Sequence, residues 1–298
     1  VHALNRGNYM ENNLQNNSIT YQPGNLSTYQ LLYTLQIADN ALIHGHRLSE
    51  WCGHGPVLEQ DIALSNMALD YLGQARSLYQ HAAAIYNGFT PDQKNSLFSS
   101  VALRQKADKG DIFDEDDLAY LRDSWDFRNA LLTEQPNKDW AYTVARSFYL
   151  DAFNYLFFTG LQHSGDTVLA AVAEKSLKEV TYHLRWSSEW VIRLGDGTEE
   201  SHRRMQEALE ERWSFTGELF TMNDMEQSLL EAGIAIDVRT LYAAWKDRVE
   251  AVLKEATLQV PAGTWMQEGG KEGRHTEHLG YLLAEMQFMQ RAYPDMEW

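Results

Sequence analysis

The chain has 298 residues, 44% hydrophobic and 22% charged, which is ordinary globular composition with ample length for a buried core. A net charge of −17 repels phosphates over its long-range field and excludes nucleic acid as a main partner, although a local basic patch for an acyl-CoA or a protein stays allowed. The single cysteine excludes an intrachain disulfide and any thiolate-built metal site; with no apolar signal segment and no membrane-length apolar run, a cytoplasmic location with no membrane contact is expected.

Residues 1–27 read as a flexible polar tail holding seven Asn and closing near Pro23-Gly24, and 28–298 as one helical domain. From Ser27 the pattern is helical, with Leu31, Leu35, Ala38 and Leu42 on one face and Ser27 or Thr28 suited to the N-cap. "GHGP" at 53–56 breaks the chain. A second helix is predicted over 57–86, with Ile62, Met67, Leu69, Leu72 and Leu78 as its apolar residues and Asn87-Gly88 as its stop. Short helices are expected over 89–137, where the acidic run "DKGDIFDEDD" reads as a solvated surface segment without the spacing of a calcium loop. A third long helix starts near Asp139 and a fourth spans 166–194, stopped by Gly195. Helices follow near 198–220 and 238–257, and a glycine-rich loop leads to a last one over 281–292. Strand alternation is nowhere sustained. The fold class is all-α, a long-helix bundle with additional short helices.

Di-iron helical bundles carry Glu-x-x-His on buried helices, because positions i and i+3 share one face and can reach one ion pair in the core. Two such pairs occur, Glu199/His202 and Glu272/His275, but one or two are expected by chance, and both stand at loops or a helix start rather than mid-helix. In "KEVTYHLRWSSEW", Glu179 and His183 are four apart, and the residue three before His183 is Val180. His44 and His46 precede Glu50 and read as solvated or hydrogen-bonded imidazoles. Cys52, near His54, reads as a buried small residue rather than a nucleophile.

The stretches "RLSEWCGHGPVLEQDIAL", "DYLGQAR", "LLTEQPN", "KEVTYHLRWS", "EAGIAIDVRTL" and "GGKEGRHTEHLGYLLAEMQFMQR" together resemble the C-subunit family of bacterial ring 1,2-phenylacetyl-CoA epoxidases, multicomponent monooxygenases of phenylacetate catabolism. The resemblance covers most of the chain from Thr28 and implies a ferritin-like fold. In the related catalytic subunit, the second-helix motif Asp-Glu-Ala-Gly-His falls on Asp70–Gln74, so its ligand positions hold Tyr71 and Gln74. The fourth-helix motif Lys-Glu-Glu-Ser-Phe-His falls on Lys178–His183, so its ligand positions hold Val180 and His183. The first-helix ligand falls near Asp39 or Asn40 and the third near Asp151.

The resemblance therefore implies a degenerate di-iron site, with no metal or catalytic residue in this chain. It implies a di-iron cofactor in a homologous catalytic ferritin-like partner subunit, and a reductase component beside them. Glu179 is expected to support His183 or to face solvent. "GRHTEHLG" reads as a helix-capping turn with Thr276 as cap, as a partner-contact loop through Arg274, His275, Glu277 and His278, or, least favoured, as a metal site. A homodimer is allowed for the isolated chain. Two alternatives stay open: a metal-binding oxygenase with unusual ligands such as His183, Asp70 and Glu179, or a stand-alone bundle that binds an acyl-CoA or apolar ligand.

Overall fold

The structure, a computed structural model, describes residues 25–293 and 296. In chain order the α-helices are α1 (Leu26–Ser49), α2 (Leu58–Asn87), α3 (Pro91–Leu97), α4 (Val101–Lys109), α5 (Glu115–Tyr120), α6 (Leu131–Glu134), α7 (Trp140–Leu161), α8 (Thr167–Gly195), α9 (Glu199–Trp213), α10 (Asp224–Glu231), α11 (Tyr242–Glu255), α12 (Glu277–Met286) and α13 (Phe288–Ala292). No strand occurs among the described residues. The tail expected over 1–27 lies outside them except for its last three residues. There Asn25, not Ser27 or Thr28, is the N-cap of α1, its side chain accepting from the Ser27 N–H.

The helices α1, α2, α7 and α8 form a four-helix, ferritin-like bundle. The α1–α2 hairpin packs against the α7–α8 hairpin, α9 and α11 cover α7 and α8, and α10 leans on α1. Leu31, Leu35, Ala38 and Leu42 are all buried, as their spacing predicts. On α2 the inward stripe is Leu64, Met67, Ala68, Tyr71, Ala75 and Leu78. Ile62 and Leu69, two of the apolar residues named for this helix, are 53% and 65% exposed. At about 100° per residue both point away from that stripe, so their apolarity marks an outer surface.

The acidic run is only partly a solvated segment. Asp114 caps α5, and Asp117 is buried against Lys106 at 2.6 Å. The helix predicted over 198–220 ends at Trp213 and is followed by a separate short turn at Gly217–Phe220. The helix α10 has no counterpart among the expected elements, although Asn223 and Glu226 form a capping box there. The last helical segment starts at Glu277, earlier than 281, and divides into α12 and α13.

Polar groups fix how these elements meet. Where α2 runs along α8, Gln60 Oε1 accepts from the indoles of Trp186 and Trp190 at 2.9 and 2.8 Å. Asp70 pairs with His183 at 3.0 Å, Gln74 donates to Glu179 at 2.8 Å, and His81 pairs with Asp166, the N-cap of α8, at 2.7 Å. Asp39 on α1 is buried with Arg122, and also accepts from Tyr79 Oη at 2.5 Å and the Arg128 N–H at 2.7 Å. "LLTEQPN" is held by three buried arginines from three helices. Arg47 donates to the Glu134 carbonyl, Arg146 to that of Gln135 and Arg212 to that of Pro136. The guanidiniums thereby satisfy carbonyls that no regular element pairs.

Candidate functional site

Tyr71 stands where the four bundle helices face one another. Its α2 position turns it fully inward, and its hydroxyl donates to Asp151 Oδ1 on α7 at 2.6 Å. The ring meets His44 of α1 edge-on, with centroids 4.7 Å apart, and lies tilted against His183 of α8 at 4.9 Å. The Asn154 amide reaches the same hydroxyl at 3.5 Å. Burial, then the adjacent Asp151 carboxylate, push the Tyr71 phenol well above its usual range, so it stays a proton donor. Burial pushes the Asp151 carboxyl up, and His183 and the bond from Tyr71 oppose that rise. Burial, then the charges of Arg146 and His183, hold His44 well below its ordinary range, so its ring is neutral.

The other mapped positions do not assemble a donor set. Val180 is fully buried and carries no donor atom. Gln74 is committed through its amide nitrogen to Glu179, so Glu179 neither supports His183 nor simply faces solvent. His183 is partnered instead by Asp70, whose side chain is 39% exposed. Asp39 is held by Arg122, and Asn40 Oδ1 accepts from the Ala130 N–H at 2.8 Å; neither is bonded to the Tyr71 cluster. Asp151 and His183 both border Tyr71, which bonds Asp151 through its hydroxyl and packs its ring against the imidazoles of His44 and His183. Among the described residues, no three His, Cys, Asp or Glu side chains converge so as to hold a metal ion. These residues do not fit a carboxylate-bridged pair of irons, which needs anionic donors on both metals.

The proposed contact loop divides. Arg274 and Glu277 are exposed, with Arg274 paired to Glu272 at 2.6 Å. His275 is turned inward, its ring bonded to Glu134 Oε2 at 2.8 Å and to the Phe127 carbonyl at 3.0 Å. Thr276 precedes α12 as its N-cap, but its hydroxyl donates to Glu134 rather than capping the helix. His278 is half-buried, and its carbonyl accepts from Arg47. Buried carboxylates hold this whole loop: Glu218 accepts from the Gly269 and Lys271 N–H groups, and Glu226 from Lys271 Nζ at 3.0 Å.

Two further expectations are corrected. His44 is neither solvated nor hydrogen-bonded to the protein, because the apolar face of α1 carries it into the centre of the bundle. Cys52 is exposed, because the turn after α1 carries it outward, and its thiol lies 2.8 Å from Ser65 Oγ. His54 touches the Cys52 carbonyl, not its sulfur. Beside Tyr71 lies a narrow cavity of about 30 Å³, lined among others by Gln36, Gln74, Asn154, Phe157 and Lys271. His44 and Asn154 belong to the site although no spacing singles them out, since a lone polar residue on an apolar face has no periodic signal of its own. No helix among the described residues is long and apolar enough to cross a membrane.

The model of the family described as phenylacetic acid catabolic protein matches residues 18–298. The C subunit of the 1,2-phenylacetyl-CoA epoxidase of Escherichia coli (strain K12) is 46% identical over 266 residues, covering 89% of this chain and 98% of that protein.

Proposed function

We propose, from the premise that this chain belongs to the phenylacetic acid catabolic protein family, that it is a component of a cytoplasmic phenylacetyl-CoA epoxidase and acts there as a non-catalytic structural subunit. A homologous catalytic ferritin-like subunit would hold the di-iron centre and the acyl-CoA, and a reductase would supply electrons. The observation that supports the reading is Tyr71, whose hydroxyl bonds Asp151 and whose ring packs against His44 and His183 at a position that the resemblance maps to a ligand carboxylate. With Tyr71 and Val180 in place of carboxylates, the bundle keeps its fold without a donor set for two irons.

The two other readings draw less support. Unusual ligands drawn from His183, Asp70 and Glu179 would have to leave the partners they already have, and Glu179 is bonded to Gln74. A stand-alone acyl-CoA site needs far more room than about 30 Å³, since ligand pockets run to roughly 300–1,000 Å³.

The test is metal content by mass spectrometry after anaerobic reconstitution with Fe(II) and desalting, on the chain alone and co-expressed with its candidate catalytic partner. Iron only in the co-purified pair is expected. Near two irons in the isolated chain, lost in His183→Ala, would overturn the proposal and make this chain the enzyme.

A further inference from the structure

We infer that His275 is a buried imidazolium whose second ring proton latches the start of α12 to α6. A neutral imidazole offers one N–H and one lone pair. Here both ring nitrogens meet oxygens: Nδ1 lies 2.8 Å from Glu134 Oε2, and Nε2 lies 3.0 Å from the Phe127 carbonyl oxygen. A carbonyl only accepts, so Nε2 carries a proton. A bare Nδ1 would then turn its lone pair on a carboxylate oxygen, so this contact holds a proton too. Its place follows from the rest of the carboxylate. Glu134 Oε2 also accepts from Asn129 Nδ2 at 3.0 Å, and Oε1 accepts from the Thr276 N–H at 2.7 Å and the Thr276 hydroxyl at 2.8 Å. Three outside donors favour the ionised carboxylate, so the proton rests on the ring. The side chains of His275 and Glu134 are 4% and 0% exposed, which shields the pair from water.

The neighbouring charges are occupied elsewhere. Arg47 of α1 donates to the carbonyls of Glu134 and His278 and pairs with Glu50 at 2.6 Å. Asp126, in the turn before Phe127, accepts from the Ser99 and Ser100 N–H groups. Glu218 accepts from the N–H groups of Leu131, Gly269 and Lys271. Arg128 stands beside Gly273, Arg274 pairs with Glu272, Glu277 is exposed and His278 is half-buried. Glu134 is thus the counter-ion of His275, and through Thr276 the same carboxylate seats the first turn of α12. Loss of the ring proton would set a lone pair against the carbonyl or the carboxylate. The seated form is the one that binds the proton, so the seat weakens as pH rises. What loosens is the segment from Gly273 into α12, which carries the exposed Arg274 and Glu277. The glycine-rich stretch before it stays held by Glu218 and by Lys271 with Glu226. The latch works whether or not the chain is catalytic.

The test follows two signals of the full chain as pH is raised stepwise. Nitrogen-15 NMR of the histidine rings reads the protonation of His275, assigned by the signal missing in His275→Gln. Hydrogen exchange of the peptides covering 269–286, corrected for the intrinsic rate, reads the seat, with α7 as the internal reference. Both ring nitrogens of His275 protonated while the segment is protected is expected. Protection should then fall together with the loss of that proton, by up to about tenfold per pH unit, while α7 stays protected. In His275→Gln the protection should no longer follow pH over that range. A neutral His275 ring in a protected segment, or protection unchanged after the ring has lost its proton, would overturn the inference. The ring is then assigned by sequential NMR, and the unsubstituted chain decides the matter, if the variant does not fold.

Discussion

Replacing Tyr71 by Phe removes one oxygen and keeps the ring that His44 and His183 pack against. The volume at the centre of the bundle barely changes, so the effect isolates the 2.6 Å bond to Asp151. Asp151 is fully buried, and its second oxygen already has no protein partner. Leaving a buried acceptor unsatisfied costs about 1–3 kcal/mol, and more if it keeps its charge. A loss of about 2 kcal/mol at neutral pH is expected. For a domain of this size that corresponds to roughly 3–4 °C in Tm. Equilibrium urea unfolding followed by Trp fluorescence and circular dichroism should show a lower midpoint at unchanged slope, since the exposed surface is the same. Tyr71→Glu should cost more than Tyr71→Phe, because it sets a second buried carboxyl against Asp151. A Phe variant within about 0.5 kcal/mol of the parent would refute the view that the hydroxyl holds Asp151. A Glu variant as stable as the parent without added metal would refute the view that this position is a filled core site.

Gly73 lies within α2 with open space where a Cβ would go, so Gly73→Ala should stabilise by up to about 1 kcal/mol in thermal melts. Gly195→Ala should instead destabilise by about 1–3 kcal/mol in the same assay, because its Cβ would fall 2.4 Å from the Ala256 carbonyl. Arg122→Met should cost about 3–5 kcal/mol by urea denaturation, since it leaves Asp39 buried without its cation. Burial lowers His46 from its ordinary 6.5 to about 4. A depressed folded value means that the unfolded chain binds the extra proton first. The stability from neutral His46 is thus complete above pH 6.5 and is lost as pH falls towards 4, up to about 3 kcal/mol in all. His46→Asn should flatten the pH dependence of the urea midpoint across that window, and an unchanged slope would contradict it.

The long helices are legible in the sequence because their apolar residues recur at the helical period and their ends carry Asn87-Gly88, Asp139, Asp166 and Gly195. What periodicity does not supply is direction. Ile62 and Leu69 are as apolar as Leu64, yet only their angle on α2 separates outside from inside. The degenerate ligand positions come from a resemblance, and Tyr71 and Val180 are buried where that mapping places them in the core. Their partners are not legible. Asp70 with His183, Gln74 with Glu179 and Arg122 with Asp39 are separated by 83 to 113 residues, and nothing local in the sequence records such a pairing. Cys52 and His44 escape prediction for the same reason, since composition alone says little about which way one residue of a turn or helix points.

The line of polar pairs where α2 meets α8 also limits how the bundle can move. Apolar ridges tolerate neighbouring settings, because one leucine substitutes for the next. Gln60 with its two indoles, Asp70 with His183, Gln74 with Glu179 and His81 with Asp166 match in a single alignment of the two helices. Sliding one helix by a turn would strand every member at once. The pairs thus work as a register key. They forbid the shear that lets packed helices trade places, and they tie the α1–α2 hairpin to α8 along most of its length.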